Sequence, residues 1–519
     1  MNIVSYDPPQ CPIIGAKSQS KANTILSIDL SQNWTNATVV IHSTTKPNGV
    51  PNLNHGSLWY DESTGFLYTG YTGTSSSFDV NSNPSPPPQS IWTFKPDNLG
   101  SGTWNQTISS SASVWNTTKR TSRGYQAYGK GSAYVLGGTG SLLYGEDLYP
   151  GMIKFDMSSQ VFSNISSKTG ATSPSGNPGY EGAMQYVPPF GPGGVFVVLG
   201  GGDNNGLIDF GYVQVYDPAS GSWYNQTTTG NRPASRVNFC TAGVASTNGT
   251  YEIFVYGGDN GNLGTSSVQL DTVNILRLPA FNWFSVAYNP QNPRSGHTCE
   301  AVRGSLIAIV GGIDSNPKQT TGNFNDLVQR TFATPDPFAQ GLAIFDLRRL
   351  DFSAEYTAGG GTVYEPNAVI TQFYTQGSYG GNLVEGVAQL MKETHFPPST
   401  SSNPTASNST STSPSSSPST NGPHTNHTGA IAGGIVGGLL GIALIIALVL
   451  WLLRRRRRRT QAQLSQNPAW DGAVYGNERG PLQIDGNARA ELQQPDSRVE
   501  LGYGEAHELD SVGHSKGAL

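Results

Sequence analysis

The chain has 519 residues and a formal charge of −5, and only 13% of it is charged, against roughly 25% in an average soluble protein. That excludes a coiled coil, and without a basic field to draw phosphates it excludes nucleic acid as the default partner. With 64 glycines, 34 prolines and 36% hydrophobic residues, the composition favours an all-β architecture of short strands and turns, while three cysteines are too few for a disulfide scaffold.

Residues 1–24 are read as an N-terminal remnant. MNIVSYDPPQCPIIG has neither a basic start nor an apolar core, so it is not a signal peptide. ILSIDLSQNW, with Asp29 and Trp34, looks like the third and fourth strands of a repeat unit. Its first two strands have no counterpart upstream. The expectation is that the sequence starts late and that a leader and one strand pair precede it. If it is complete, either the ring has a gap or residues 364–390 fill it.

Five apolar runs follow that end in glycine doublets: FLYTGYTG, AYVLGG, VFVVLGGG, EIFVYGG and LIAIVGG. Four doublets are intact, Gly137–Gly138, Gly200–Gly201, Gly257–Gly258 and Gly311–Gly312, and Tyr71-Thr72 interrupts the first. The interval of roughly 54 to 66 residues matches a repeat of about 50 with loop insertions. Each doublet has a short strand before it and an apolar strand after it, and three units then reach Trp104, Trp223 or Trp283. One unit is therefore four antiparallel strands. Five full units and the half unit at 25–34 predict a six-bladed propeller over 25–356, its first blade incomplete.

Residues 357–396 carry weak helical signals at 368–374 and 383–391, read as small helices beneath the ring. Residues 397–429 are rich in Ser, Thr and Pro and cannot bury enough apolar surface to fold. They read as a stalk, either O-glycosylated or bare. Ala430 to Leu453 carry no charge and are long enough as a helix to cross a bilayer. Arg454 to Arg459 follow at once, a stop-transfer and positive-inside signal. Residues 454–519 would then be a basic flank and a disordered cytoplasmic tail, with everything before 430 extracellular or lumenal. Nine sequons agree with that side: Asn33, Asn36, Asn105, Asn116, Asn164, Asn225, Asn248, Asn408 and Asn426 all precede the span. Within the span, Gly433, Gly434, Gly437, Gly438 and Gly441 give small-xxx-small spacings that suit a homodimer.

The doublets, the pairs Phe155-Asp156, Tyr216-Asp217 and Phe345-Asp346, and the spaced tryptophans resemble the kelch family over about 25–356. The whole layout is similar to single-pass membrane kelch proteins of filamentous fungi. The resemblance implies a β-propeller of the kelch and galactose oxidase type.

Candidate chemistry is sparse. Cys240 and Cys299 lie in the first strands of consecutive blades and are either a disulfide or two buried thiols. Cys11 is left over. His297 is read as a structural histidine. Asp203, Asp259 and Asp314 follow their doublets and read as turn caps over an acidic rim. Galactose oxidase chemistry needs a Tyr joined to Cys, two His and a second Tyr around copper, and the sequence shows no matching constellation. No catalytic, cofactor or metal residues are expected. The expected function is a non-enzymatic cell-surface interaction protein whose propeller binds a cell-wall glycan or a surface protein. A copper-radical carbohydrate oxidase on the same scaffold is the alternative.

Overall fold

The computed structural model describes residues 24–396, apart from 52, 76–89, 108–113, 115–119, 141–147, 166–171, 263–267, 269, 289–292, 314–335, 337, 360–362 and 377–380. The Ser/Thr/Pro segment, the apolar span, the arginine run and the polar tail lie outside the described residues. Among the described residues no helix is long and apolar enough to cross a membrane.

The chain enters through β1 (Thr24–Ile28), β2 (Trp34–Thr35), β3 (Ile41–Thr45) and β4 (Leu53–Asn54). Blade 1 comprises β5 (Leu58–Asp61), β6 (Phe66–Thr69), β8 (Ile91–Pro96) and β9 (Gly102–Thr107), and β7 (Thr74–Ser75) pairs with β4. Blade 2 is β10 (Tyr125–Gly129), β11 (Ser132–Leu136), β12 (Met152–Asp156) and β13 (Val161–Asn164). Blade 3 is β14 (Ala183–Val187), β15 (Val195–Leu199), β18 (Tyr212–Asp217) and β19 (Ser222–Thr227), with a small hairpin of β16 (Gly202–Asp203) and β17 (Gly206–Leu207) above it. In blade 4, β20 (Thr229–Gly230) joins β21 (Cys240–Ala245), β22 (Tyr251–Tyr256), β23 (Val273–Leu278) and β24 (Asn282–Ser285) as a parallel fifth strand. Blade 5 is β25 (Thr298–Arg303), β26 (Leu306–Val310), β27 (Leu342–Asp346) and β28 (Asp351–Ser353), and β29 (Glu355–Tyr356) returns to pair with β2.

The propeller has five blades, which corrects the expected six. Where a sixth was expected there is a two-stranded sheet, β1 with β3. The strand assignment at 25–34 is also corrected. The partner of β1 is residues 41–45, while Trp34 stacks on Tyr356 with ring centroids 4.9 Å apart. A tryptophan after a short apolar strand reads as a blade's fourth strand, but here the larger aromatic surface of Tyr356 captures it. The β1–β3 sheet sits between the last and first blades. Ile28 and Leu30 pack with Val310, Leu342 and Ile344 of blade 5, and Ile25 packs with Leu67 and Phe94 of blade 1. Residues 364–390 therefore do not fill that gap.

Each blade's first strand is innermost, and β5, β10, β14, β21 and β25 pack in that order around an axis. Second strands are sandwiched between neighbouring blades on both faces. That is why they read as unbroken apolar runs, and β11, β15 and β22 are buried along their length. First strands alternate instead: one side enters the blade interface and the other faces the axis.

The doublets join blades. All eight of their residues have positive φ. Gly138, Gly201 and Gly258 each donate their N–H to a carbonyl leading into the next blade, at Gly179, Arg236 and Arg294. The interrupted first doublet makes the same bond: Gly73 N–H donates to the Thr121 carbonyl at 2.9 Å. Gly258 shows why glycine is required, since its φ is +91° and a Cβ there would stand 2.6 Å from the Val237 carbonyl oxygen. The Asp of each aromatic-Asp pair caps the turn that follows. Asp156 accepts from Ser159, Asp217 from Ala219 and Ser220, and Asp346 from Arg348 and Ser305.

Two helices form near the predicted positions, α1 (Ala368–Gln376) and α2 (Glu385–Lys392). Val387, Leu390 and Met391 of α2 wedge between blades 3 and 4.

Candidate functional site

The strand order sorts every connection onto one of two faces. The second strands of all five blades end, and the third strands begin, on one face, joined by connections at 70–90, 137–151, 200–211, 257–272 and 311–341, parts of which lie outside the described residues. The opposite face carries the first-to-second turns at 62–65, 130–131, 188–194, 246–250 and 304–305, which are short. Segment 364–396 touches that second face near both its ends, while between them it reaches the long-connection end of β19, where Gln226 Nε2 donates to the Asn382 carbonyl at 3.0 Å. Tyr364 bridges to Ser246, Asn367 donates to the Arg348 carbonyl, and Thr394 bridges to Phe190. The long-connection face carries the longer loops, and surface loops on a rigid scaffold are where binding residues concentrate.

At the centre of that face the turn into each first strand repeats one backbone feature. His55, Arg123, Glu181, Asn238 and Gly296 occupy equivalent places in the five blades, and all have φ between 52° and 66°. A hydrogen-bond belt runs through four of them. Glu181 N–H donates to Arg123 O at 2.7 Å, Asn238 N–H to Glu181 O at 3.1 Å, and Gly296 N–H to Asn238 O at 2.8 Å.

The side chains of this belt carry mixed charge. Arg123 Nε lies 3.1 Å from Glu181 Oε1. Burial raises the Glu181 carboxyl above the ordinary range; Arg123 opposes the shift and Asp259 adds to it. Asp259 is likewise raised by burial, although the Gly261 N–H at 2.8 Å, Ser295 and Asn238 pull it back. Deeper on the axis, Tyr60, Tyr128 and Glu300, from blades 1, 2 and 5, are electrostatic neighbours. Glu300 keeps an exposed surface toward the axis yet is surrounded by protein, which pushes its carboxyl up to about 7.

The predicted residues are placed as follows. Asp203 accepts from Asn205 N–H, Ser175 and Asn177, and these bonds outweigh burial and lower its pKa. Asp203 and Asp259 are thus turn caps, while Asp314 lies outside the described residues. Asn33, Asn105, Asn164, Asn225 and Asn248 are exposed. Asn105, Asn164 and Asn225 lie on the outermost strands of blades 1, 2 and 3. Asn36 is buried, its Nδ2 donating to the Leu342 carbonyl at 2.9 Å. Asn116, Asn408, Asn426 and Cys11 lie outside the described residues.

Cys240 and Cys299 are joined as a disulfide between blades 4 and 5, with Cα atoms 5.4 Å apart. His297 is buried beside them, and its ring meets Tyr256 edge-on at 5.1 Å. Burial, and then the charge of Arg294, hold its pKa well below the ordinary value, against the nearby Tyr256 backbone. Neither ring nitrogen makes a hydrogen bond of ordinary geometry. The belt itself was missed from sequence. Its residues share a backbone conformation and not a side-chain type, so only their place two or three residues before each first strand signals them.

No protein-family model matches the chain. The chain is similar to a kelch repeat-containing protein of Arthroderma benhamiae, 28% identical over 218 residues, which is 41% of this chain and 30% of that protein. The chain thus spans less than a third of that relative's length. Together with five radial four-stranded units, this similarity supports a kelch-type β-propeller.

Proposed function

We propose that the chain is a cell-surface interaction protein, held by one membrane span at 430–453, whose propeller binds a protein or glycan through the long-connection face. The observation that carries the reading is the two-faced layout: long connections on one side and tight turns on the other. The described chain reaches Phe396 beside Phe190, on the short-turn side. The repeat similarity favours protein over glycan as ligand.

The test is a surface-protein and glycan binding screen with the full-length chain, followed by two single variants. Asn204→Arg places charge on the exposed tip of the β16–β17 hairpin, on the long-connection face. Lys130→Glu does so at an exposed first-to-second turn on the other face. Binding is expected to fall at least several-fold in the first and to persist in the second. The reverse pattern would refute the face assignment. Protease protection in sealed vesicles tests the topology, which fails if residues before 430 are cleaved from the cytosolic side.

No specific observation favours the oxidase. The cysteines of the buried Cys/His group are bonded to each other and not to a tyrosine, and that group contains one histidine. Stoichiometric copper with peroxide production by the full-length chain as isolated would nonetheless overturn the binding reading.

A further inference from the structure

We propose that Cys240, His297 and Cys299, once the disulfide is reduced, form a three-coordinate site for a cuprous ion between blades 4 and 5. Among the described residues these three can each offer one ligand atom, and the atoms all lie within 4.8 Å of one another. The backbone explains the convergence. Cys299 is on β25 and His297 lies two residues earlier, so in extended chain both side chains face blade 4. Cys240 opens β21, the neighbouring innermost strand, and faces them.

The second observation is the histidine itself. His297 is 5% exposed, and neither Nδ1 nor Nε2 makes a hydrogen bond of ordinary geometry, the Tyr256 backbone being near enough only to favour a ring proton. A buried imidazole without a partner forfeits hydrogen bonds that water would have supplied, and proteins usually satisfy such groups. A metal ion accepting the ring lone pair would end that deficit. The ring is also fixed in place. A Cβ on Gly257 would come 2.5 Å from His297 Cε1, and one on Gly312 would come 2.8 Å from its Cβ, so the glycines of two doublets form its cradle.

Ligand type and surroundings choose the ion. Two thiolates and an imidazole are a soft set, and thiolates select cuprous copper and zinc. Zinc prefers four ligands. The three donors here sit among Phe254, Tyr256, Ile307 and Ile309, and among the described residues no fourth His, Cys, Asp or Glu joins the group. Cuprous ion with two thiolates carries one net negative charge, and it would lie near the Arg294 guanidinium, which is itself paired with Asp336. This set differs from the tyrosyl-cysteine copper constellation, because here both sulfurs bind the metal.

The chemistry balances as follows. A small dithiol reduces the Cys240–Cys299 bond with two electrons and two protons, and is itself oxidised to its cyclic disulfide. Cuprous ion then replaces the two thiol protons, which pass to buffer, and neutral His297 donates a ring lone pair. A small disulfide then accepts the two electrons by thiol–disulfide exchange, leaving as two thiols as the Cys240–Cys299 bond re-forms and the cuprous ion is released. The site is thus open to metal in one redox state and closed in the other.

The experiment uses the full-length chain carrying Cys11→Ser, so that the remaining thiols are the two in question. It is reduced anaerobically with dithiothreitol, desalted, and titrated with cuprous ion against bicinchoninate as competing chelator. The expected result is one copper per reduced chain, an X-ray absorption first shell of two sulfurs and one nitrogen, and no stoichiometric copper in the oxidised chain. His297→Gln should weaken retention by more than about tenfold and remove the nitrogen. Cys299→Ser should abolish stoichiometric binding. The wild-type pair of redox states needs no mutant, and near-ultraviolet circular dichroism reports whether the reduced chain keeps its fold. The proposal is overturned if the reduced chain unfolds, if copper binds equally to the disulfide form, if His297→Gln leaves affinity and first shell unchanged, or if zinc displaces cuprous copper from the site.

Discussion

Replacing Gly258 with alanine isolates the physical reason for the doublet. Three costs add. The left-handed backbone at φ +91° costs an L-residue about 1–2 kcal/mol. The new Cβ would meet the Val237 carbonyl oxygen at 2.6 Å and Phe239 Cβ at 3.0 Å, and overpacking of this kind costs about 1–3 kcal/mol. Relief of the clash strains the Gly258 N–H bond to the Arg294 carbonyl, now 2.8 Å, which contributes about 1 kcal/mol. The expected loss is about 3–6 kcal/mol, a large part of the roughly 5–15 kcal/mol that holds a domain together. Gly221→Ala is the control. Its φ is +74°, but nothing lies within 4 Å of its added Cβ, so only the backbone cost of about 1–2 kcal/mol remains. Urea unfolding followed by tryptophan fluorescence compares the two, with Trp283 buried in an adjoining blade interface. Equal midpoint shifts for the two variants would refute the close-approach argument and reduce the doublet to a conformational preference.

Three further outcomes are expected. Arg236→Met should cost about 2–3 kcal/mol in the same urea assay, because the buried guanidinium donates to the Gly257 carbonyl at 2.9 Å and to Thr272, and methionine leaves both unserved. Glu252 is buried, with Oε1 accepting from Thr250 and Oε2 unpartnered, and burial pushes its carboxyl up to about 8. Its folded pKa thus exceeds its unfolded value near 4.5, so its contribution is fully present below pH 4.5 and is lost as pH rises through about 8. Glu252→Gln should flatten stability over that window, and a parallel pH profile would contradict the assignment. In chain from a secretory host, glycopeptide mass spectrometry should find sugar on the exposed Asn105, Asn164 and Asn225 and not on Asn36, whose amide is buried against Leu342.

The repeat unit was legible because its signals are local. A doublet needs positive φ, a sandwiched second strand needs apolar residues throughout, and an Asp after an aromatic caps a turn; each leaves a mark within a few positions. The five doublets therefore located all five blades, including the one whose glycines are split by Tyr71-Thr72. What failed was non-local. Nothing within 25–34 tells Trp34 that Tyr356 will be its neighbour, so a strand pairing was assigned where an inter-terminal stack forms. The α2 wedge between blades 3 and 4 was equally hidden, since its partner surfaces on β19 and at 188–194 lie far upstream. The convergence of Cys240 and Cys299 could be suspected from their matching repeat positions. His297 was legible only as a residue near Cys299, because its lack of partners is a property of the packed interior.

Ring closure rests on that same non-local stack, which makes it testable. Tyr356 Oη donates to the Leu30 carbonyl at 3.0 Å, Asn36 Nδ2 donates to Leu342 O, and Gln340 Nε2 donates to the carbonyls of Asn36 and Val39. These contacts tie segment 24–45 to blade 5, and Ser27 Oγ ties it to the Gly100 carbonyl of blade 1 at 2.9 Å. Blades 2 to 4 have no share in them. Trp34→Ala removes a buried aromatic, a change that costs about 3–5 kcal/mol where the site cannot collapse. Because the lost contacts lie at one junction, the effect should be local. Amide hydrogen exchange is expected to quicken in β1, β3, β27 and the β8–β9 turn, while β15 and β22 keep their protection. Uniform acceleration across all five blades would mean that closure is shared around the ring, and that the β1–β3 sheet is not the fastener the contacts indicate.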